Sequence, residues 1–579
     1  MSKTGHSANR IDALFQQALA LHQNGALDEA EASYRDVLAM RPRHFDAMQL
    51  LGTLALQAGR LEEGITLLER ASAIDARQPA LHSNMAFALN SLERHDEALK
   101  RADKALALAP DFADAHNNRG NALAGLMRPA EALASFERAI ALQPAIAEAW
   151  NNRACALRDL GEAEQAVASC DHAIALRPAY ADAWSNRANA LSDLNRPDDA
   201  KASYEHALSV NPQLADAWSN LGLTLVDLGD HAQALRCYER ALDIDPKHAS
   251  AHWHQALCLL ETGQLEEGWR AYEWRWQRAS LKYGRRVFSQ PLWLGDAPLE
   301  GKTILLHAEQ GLGDTLQFCR YASRVASLGA IVILEVPAPL LRICANLAGV
   351  SVLVEEGQPL PDFDFHCPLL SLPLALDTTL DTIPRDVPYL LANPQRSAVW
   401  RERISALAGE RLRVGLVWAG GHRPHVPELR KNDARRSMSL DTLRDVLSVD
   451  GVQFFSLQIG PASQQIDAFS AETGIGDRLV DLTASIGDFA DTADVVDNLD
   501  LVISVDTSTA HLAGAMGKPV WILNRFDTCW RWLLERDDSP WYPSARLFRQ
   551  PTLGDWRSVI ENVRLALTTE AGKRRSPST

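Results

Sequence analysis

Apolar residues in the first half of the chain recur at helical spacing, in blocks that repeat every 34 residues. Pro42, Pro110, Pro144, Pro178, Pro212 and Pro246 fall on this register, with Ala76 in the remaining slot. Twelve positions before each slot stands a small residue (Ala30, Gly64, Ala98, Ala132, Ala166, Ala200, Ala234), as closely packed helices require. Early in each block a bulky residue (Met48, His82, His116, Trp150, Trp184, Trp218) precedes, by four positions, Gly52, Ala86, Gly120, Ala154, Ala188 or Gly222. The pattern predicts an α-solenoid of about seven helix–turn–helix units over 11–249, with a partial unit after them. From Gly301 the period changes. Apolar, β-branched runs at 303–307, 331–336, 413–418, 453–458, 501–505 and 520–523 alternate with helical stretches. That alternation predicts an α/β region of parallel strands, in two halves divided by a Pro-punctuated linker at 383–394. The expected order is a disordered tail (1–10), a repeat superhelix (11–282), an aromatic-rich junction (283–300), two Rossmann-like halves (301–395 and 396–571) and a second disordered tail (572–579).

Several stretches carry chemistry beyond packing. Asn84, Asn118, Asn152, Asn186 and Asn220 occupy one slot in five successive units. Asparagine costs a helix roughly 0.5 kcal/mol against alanine. A carboxamide offers one acceptor and two donors, so this ladder either clamps a peptide backbone or bridges neighbouring repeats. Trp269, Tyr272, Trp274, Trp276 and Trp293 crowd the end of the array, and such density cements an interface with the next domain more often than it stacks a sugar. At 501–516 an apolar strand runs into Asp506-Thr507-Ser508-Thr509 and a small-residue helix expected over 510–516. A polar turn before a helix N-terminus is an anion site, with hydroxyls as added donors. A tight turn, Gly311-Leu312-Gly313-Asp314, follows the first strand; it is not the GxGxxG of dinucleotide-binding folds.

Charge and composition narrow the partners. The net charge of −16 argues against nucleic acid, and no apolar run reaches the length of a membrane span. The opening MSKTGHSANR lacks a signal-peptide core, and the eight cysteines are scattered without a CxxC pair. A reduced, cytoplasmic protein without zinc is expected. Asp362 and Asp364 form a DxD pair, but within a strand-like edge, so they are not assigned a metal.

The 34-residue unit resembles the tetratricopeptide repeat, whose first helices line a concave groove. Two Rossmann-like halves are similar to the GT-B glycosyltransferases. EQGLGD (309–314), VDTSTAHLAGAMGKP (505–519) and RSMSL (436–440) resemble motifs of glycosyltransferase family 9, the heptosyltransferases. The order of repeats and transferase is similar to the O-linked N-acetylglucosaminyltransferases and to bacterial repeat-linked enzymes that glycosylate flagellin. The resemblance implies inverting, metal-independent transfer of a sugar from a nucleotide sugar, used as co-substrate with no further cofactor, to a protein or peptide in the repeat groove. The 396–571 half would hold the donor. By family position Asp314 would be the base, with His307 and Glu309 as alternatives. Gly311, Gly313, Arg436, Asp506, Thr507, Ser508, Thr509 and His511 would bind the donor, with Arg435 or Lys431 assisting at the phosphates. Asp314 and Asp506 have capping as an alternative role, and His511 core packing. The asparagine ladder would bind the acceptor. Arg531, Trp532, Asp538, Trp541, Tyr542, Arg549 and Asp555 form a late cluster that would frame the base or sugar. Arginine replaces the family's lysine at 436, and the loop 420–433 is unlike that family. Two further readings stay open: a non-catalytic scaffold with a vestigial transferase domain, and a transferase acting on a glycan or lipid-linked acceptor.

Overall fold

The computed structural model describes residues 3–278, 286–421, 427–474 and 478–575. Helices fill the first part, in pairs from Lys3–Gln23 with Leu27–Met40 to Ala249–Glu261 with Leu265–Tyr272. The partial unit expected after 249 is thus a complete pair, closed by a 3-10 turn at Glu273–Gln277. The helices Lys3–Gln23 and Trp556–Arg575 run into both polar tails. Among the described residues no helix is long and apolar enough to cross a membrane.

The repeat register has direct packing causes. A Cβ on Gly120 would lie 2.4 Å from the Phe136 ring, and one on Gly222 would lie 2.4 Å from Tyr238. Ala132, Ala166, Ala200 and Ala234 are fully buried where paired helices cross. The bulky slot has a polar purpose. Trp150, Trp184 and Trp218 each donate their indole N–H to the carbonyl of the proline six residues earlier, at 2.9–3.0 Å. His116 and His252 set Nε2 2.9 and 3.0 Å from the same carbonyl of their own units. In these five units the slot supplies a ring nitrogen of the right reach, satisfying a carbonyl left over at a helix end, whereas Met48 fills the first slot by bulk alone.

The chain forms two compact units, Met1–Leu221 and Gly222–Thr579, divided inside the helix Ala215–Asp227. The last repeat helices therefore share a unit with the α/β region. That region holds two wholly parallel sheets. The first comprises β1 (Thr303–His307), β2 (Ile331–Val336), β3 (Val352–Glu355) and β4 (Phe365–Pro368), in the order β3-β2-β1-β4. The second comprises β5 (Leu412–Val417), β6 (Val452–Ser456), β7 (Leu479–Asp481), β8 (Leu501–Val505), β9 (Val520–Asn524) and β10 (Ala545–Arg549), in the order β7-β6-β5-β8-β9-β10. Numbered within each half, the orders are 3-2-1-4 and 3-2-1-4-5-6, the doubly wound Rossmann pattern. Each reverses direction beside its first strand, the point at which sheets of this order take ligands, beyond the carboxyl ends of the strands. Asp364, of the DxD pair, accepts the Thr303 N–H at 2.9 Å and so caps the edge of β1.

The aromatic segment joins these layers. Trp269 and Tyr272 are buried in one core with Leu316, Phe318, Trp530 and Trp541, and Trp269 meets Trp530 edge-on at 5.2 Å. Trp293 donates its backbone N–H to the carbonyl of His366 in β4. Residues 279–285, which span the expected end of the superhelix and the start of the junction, lie outside the described residues.

Candidate functional site

Two strand ends bring the first group of residues together. After β1 the chain turns through Gly311 into the helix Leu312–Phe318, where Asp314 is the third residue. Asp314 Oδ2 accepts the Gly311 N–H at 2.8 Å, and Oδ1 is ion-paired with Arg531. Arg531 is nearly buried, donates Nε to Gln317 Oε1 at 2.6 Å, and lies 4.1 Å above the Trp530 ring. Burial opposes its charge, but Asp314, Cys529 and Tyr272 together outweigh that and hold its pKa above the usual value.

After β8 the chain passes Asp506 and Thr507 into the helix Ser508–Ala515, with Thr507 in extended N-cap conformation. The Thr507 hydroxyl meets Ser504 Oγ at 2.9 Å rather than capping the helix. Ser508 is half-buried and Thr509 buried. A Cβ on Gly313 would lie 3.0 Å from the His511 ring and 3.4 Å from Ser508 Cα, so glycine lets the two helix starts touch. His511 sets Nδ1 2.9 Å from the Tyr542 hydroxyl and stacks on Trp532 at 5.4 Å. Its Nε2 lies 3.9 Å from Asp506 Oδ1. Burial, aided by Arg531, drops its pKa to about 3, so the ring is neutral.

Arg436 lies between the ends of β5 and β8. Its Nη1 donates to the Asp506 carbonyl at 3.3 Å and Nη2 to Asp433 at 2.5 Å, while buried Nε meets no acceptor among the described residues. A Cβ on Gly420, just past β5, would sit 2.4 Å from that Nε. Gly420 was not singled out by the sequence; its signal is a Gly-Gly step straight after a predicted strand.

Other expected residues lie elsewhere. His307 is buried against Phe288, with Nε2 3.3 Å from His366 Nδ1, and burial drops its pKa to about 3. Glu309 receives the buried Arg275 at 3.0–3.3 Å, and Arg275 also holds Glu273 and Ser371. Both groups are enclosed in the first half. Asp538 pairs with Arg536, Asp555 caps at Ser558, and Arg549 donates to the carbonyls of Arg536 and Trp532. The Lys431 side chain lies outside the described residues.

The asparagines point across the repeats. Asn118 Nδ2 donates to Ser83 O and Oγ at 3.1 and 3.0 Å. Asn152, Asn186 and Asn220 donate to the Oδ1 of Asn117, Asn151 and Asn189 at 2.9–3.1 Å. Asn84 reaches Thr53 Oγ1 at 3.4 Å. Each contact runs to the preceding repeat, which leaves Asn152 and Asn186 a second N–H and their carbonyl oxygen.

Family models bear on the helical half. Models of the tetratricopeptide repeat match residues 21–86, 113–145, 135–168, 181–214 and 215–248. Protein FlbA of Caulobacter vibrioides is 28% identical over 296 residues, 48% of this chain and 48% of that protein. The chain therefore spans about half the length of this curated relative. A tetratricopeptide repeat protein from Parabacteroides merdae aligns over 43% of this chain and 98% of its own, with 17% identity and a TM-score of 0.37. YrrB, a TPR protein described as having an unusual peptide-binding site, covers 32% of this chain and 95% of its own, with 24% identity and a TM-score of 0.27. The chain is thus a tetratricopeptide-repeat solenoid followed by an α/β region of two parallel, Rossmann-like sheets.

Proposed function

We propose that the α/β region is a GT-B glycosyltransferase that takes a nucleotide sugar at the crevice of the second sheet and passes the sugar to a protein held by the repeats. The observation that supports this most is the position of Arg436. Its guanidinium lies between the ends of β5 and β8, next to the start of the helix Ser508–Ala515, with Nε lacking an acceptor among the described residues. A helix N-terminus and a guanidinium suit a diphosphate leaving group, whose negative charge grows as the sugar departs. Thr507, Ser508, Thr509 and Asp506 would line the donor, and neutral His511 would offer it an Nε2–H. In the inverting step the acceptor hydroxyl attacks the anomeric carbon and the base takes its proton. The bond from that carbon to the diphosphate breaks, and its electron pair leaves with the diphosphate. Asp314 is the proposed base: each carboxylate oxygen has two acceptor sites, so the cap and the Arg531 pair leave room for a proton. The second N–H and the oxygen of Asn152 and Asn186 would clamp the acceptor backbone.

A specific observation also favours the scaffold reading. Both oxygens of Asp314 already hold partners, and His307 and Glu309 are enclosed. Calorimetric titration with uridine, guanosine, cytidine and thymidine diphosphates, and with the bare nucleosides, tests the site. One diphosphate should bind, and Arg436→Ala should weaken it tenfold or more while leaving the nucleoside unchanged, as a contact worth roughly 1.5–3 kcal/mol requires. No diphosphate binding would overturn the site. Hydrolysis or transfer of a nucleotide sugar then separates enzyme from scaffold.

A further inference from the structure

Arg435 and Arg436 adjoin at the end of the helix Pro427–Arg436, yet they serve different parts of the molecule. Arg436 reaches the Asp506 carbonyl just past β8. Arg435 turns the other way, and its Nη1 is 2.7 Å from Asp227 Oδ1 and 2.7 Å from Asp527 Oδ2. Its Nη2 reaches the second Asp227 oxygen at 3.2 Å, which makes the Asp227 contact two-pronged. The side chains of Arg435, Asp227 and Asp527 are only 12%, 7% and 8% exposed. Arg525 adds to the knot, 3.5 Å from Asp527 and 3.0 Å from Asn432 Oδ1. Asp527 lies just past β9, whereas Asp227 is the last residue of the repeat helix Ala215–Asp227.

We infer that Asp227 is a positioning residue for Arg436, so that the phosphate-facing guanidinium is held in place from the repeat array. The inference rests on the proposed diphosphate site. A planar guanidinium gripped at both prongs by a carboxylate is fixed in rotation as well as in position. Fixing Arg435 fixes the peptide that joins it to Arg436, and hence the angle at which Arg436 enters the crevice. Removing the Asp227 charge takes away the two-pronged grip on Arg435. The segment stays folded but loses its aim, and small misplacements of a charged group are costly at a phosphate.

The test uses full-length parent, Asp227→Asn, Asp227→Glu, Arg436→Ala and the double variant Asp227→Asn/Arg436→Ala. The probe is whichever of the four nucleoside diphosphates above binds the parent most tightly, with its bare nucleoside as control. Asp227→Asn should weaken the diphosphate about tenfold, leave the nucleoside unchanged, and be partly rescued by Asp227→Glu. In the Arg436→Ala background it should add nothing, because the loss acts through Arg436. Undiminished diphosphate affinity in Asp227→Asn, an equal loss for the nucleoside, or an additive loss in the double variant would each overturn the inference. Hydrogen exchange reads the same contact without ligand. Asp227→Asn should speed amide exchange severalfold over 432–438, and unchanged exchange there overturns the inference. A parent that binds no diphosphate, with exchange altered as expected, instead overturns the reading of the site and with it any role for Asp227 in phosphate binding.

Discussion

Glu309 and Glu273 share one buried guanidinium, that of Arg275, whose side chain is fully enclosed. Two carboxylates on one cation leave an excess negative charge in a poorly solvated place. Burial pushes Glu309 up to about 7, against the pull of Arg275. A carboxyl whose pKa is raised by folding binds more protons in the native state than in the unfolded one. Its contribution to stability is therefore fully present below the unfolded value and is lost as pH rises through about 7. One such group changes stability by at most about 1.4 kcal/mol per pH unit. Melting the parent and Glu309→Gln from pH 5.5 to 8 checks this: the parent's advantage should shrink as pH rises, and a constant gap would count against a proton on Glu309. Glu309 also shows what one residue reveals in a sequence. Its place after a strand, beside Asp314, marks both for a crevice. Arg275, 34 residues earlier, decides where the Glu309 carboxylate goes, and nothing local announces it. Arg531 does the same for Asp314 from the far end of the chain.

At the scale of elements, the repeats were legible because each slot answers a local need. Small residues sit where helices cross, and a ring nitrogen reaches a carbonyl six residues back. The asparagine ladder was half legible: the slot stood out, but its partners lie about one repeat away and differ from unit to unit. That difference yields a prediction. Asn118 is buried and gives Nδ2 to two Ser83 oxygens, so Asn118→Ala strands buried acceptors at a cost of about 1–3 kcal/mol. The gain in helix propensity, about 0.5 kcal/mol, does not offset it. Asn152 is only half-buried and makes one such contact, so Asn152→Ala should be close to neutral in melting. If the ladder also clamps a peptide, Asn152→Ala should still lose acceptor affinity. Equal melting of the two variants would show that burial does not set the worth of these bridges. Parallel-strand order lies beyond local reading. Alternating strands and helices imply parallel sheets, whereas the reversal beside β1 and β5 depends on pairings across long crossovers.

At the scale of the molecule, one side chain gathers segments that the chain keeps far apart. Arg320 is 4% exposed, and among the described residues its guanidinium meets no carboxylate. It donates instead to the carbonyls of Gln317, Pro384 and Trp541 and to the Tyr389 hydroxyl, at 2.7–2.8 Å. Those groups come from the first half, the linker and the segment before β10. The rings of Tyr389 and Tyr542 flank it at 4.5 and 4.6 Å, and Tyr542 in turn meets His511. In sequence Arg320 is one more arginine in a helical stretch. A buried cation held by neutral oxygens gains nothing unless all of them are placed, so it acts as a lock on the assembled α/β region. Arg320→Met keeps length and apolar bulk but leaves three buried carbonyls without this donor. The α/β region should lose about 3 kcal/mol or more. Because residues 1–221 form a compact unit of their own, the loss should stop there. Hydrogen exchange on full-length parent and variant decides it. Faster exchange is expected around 312–321, 384–390 and 539–545, with the repeats before 221 unchanged. Exchange that rises equally throughout the repeats would mean that the two units unfold as one, and unchanged exchange at all three segments would mean that Arg320 locks nothing.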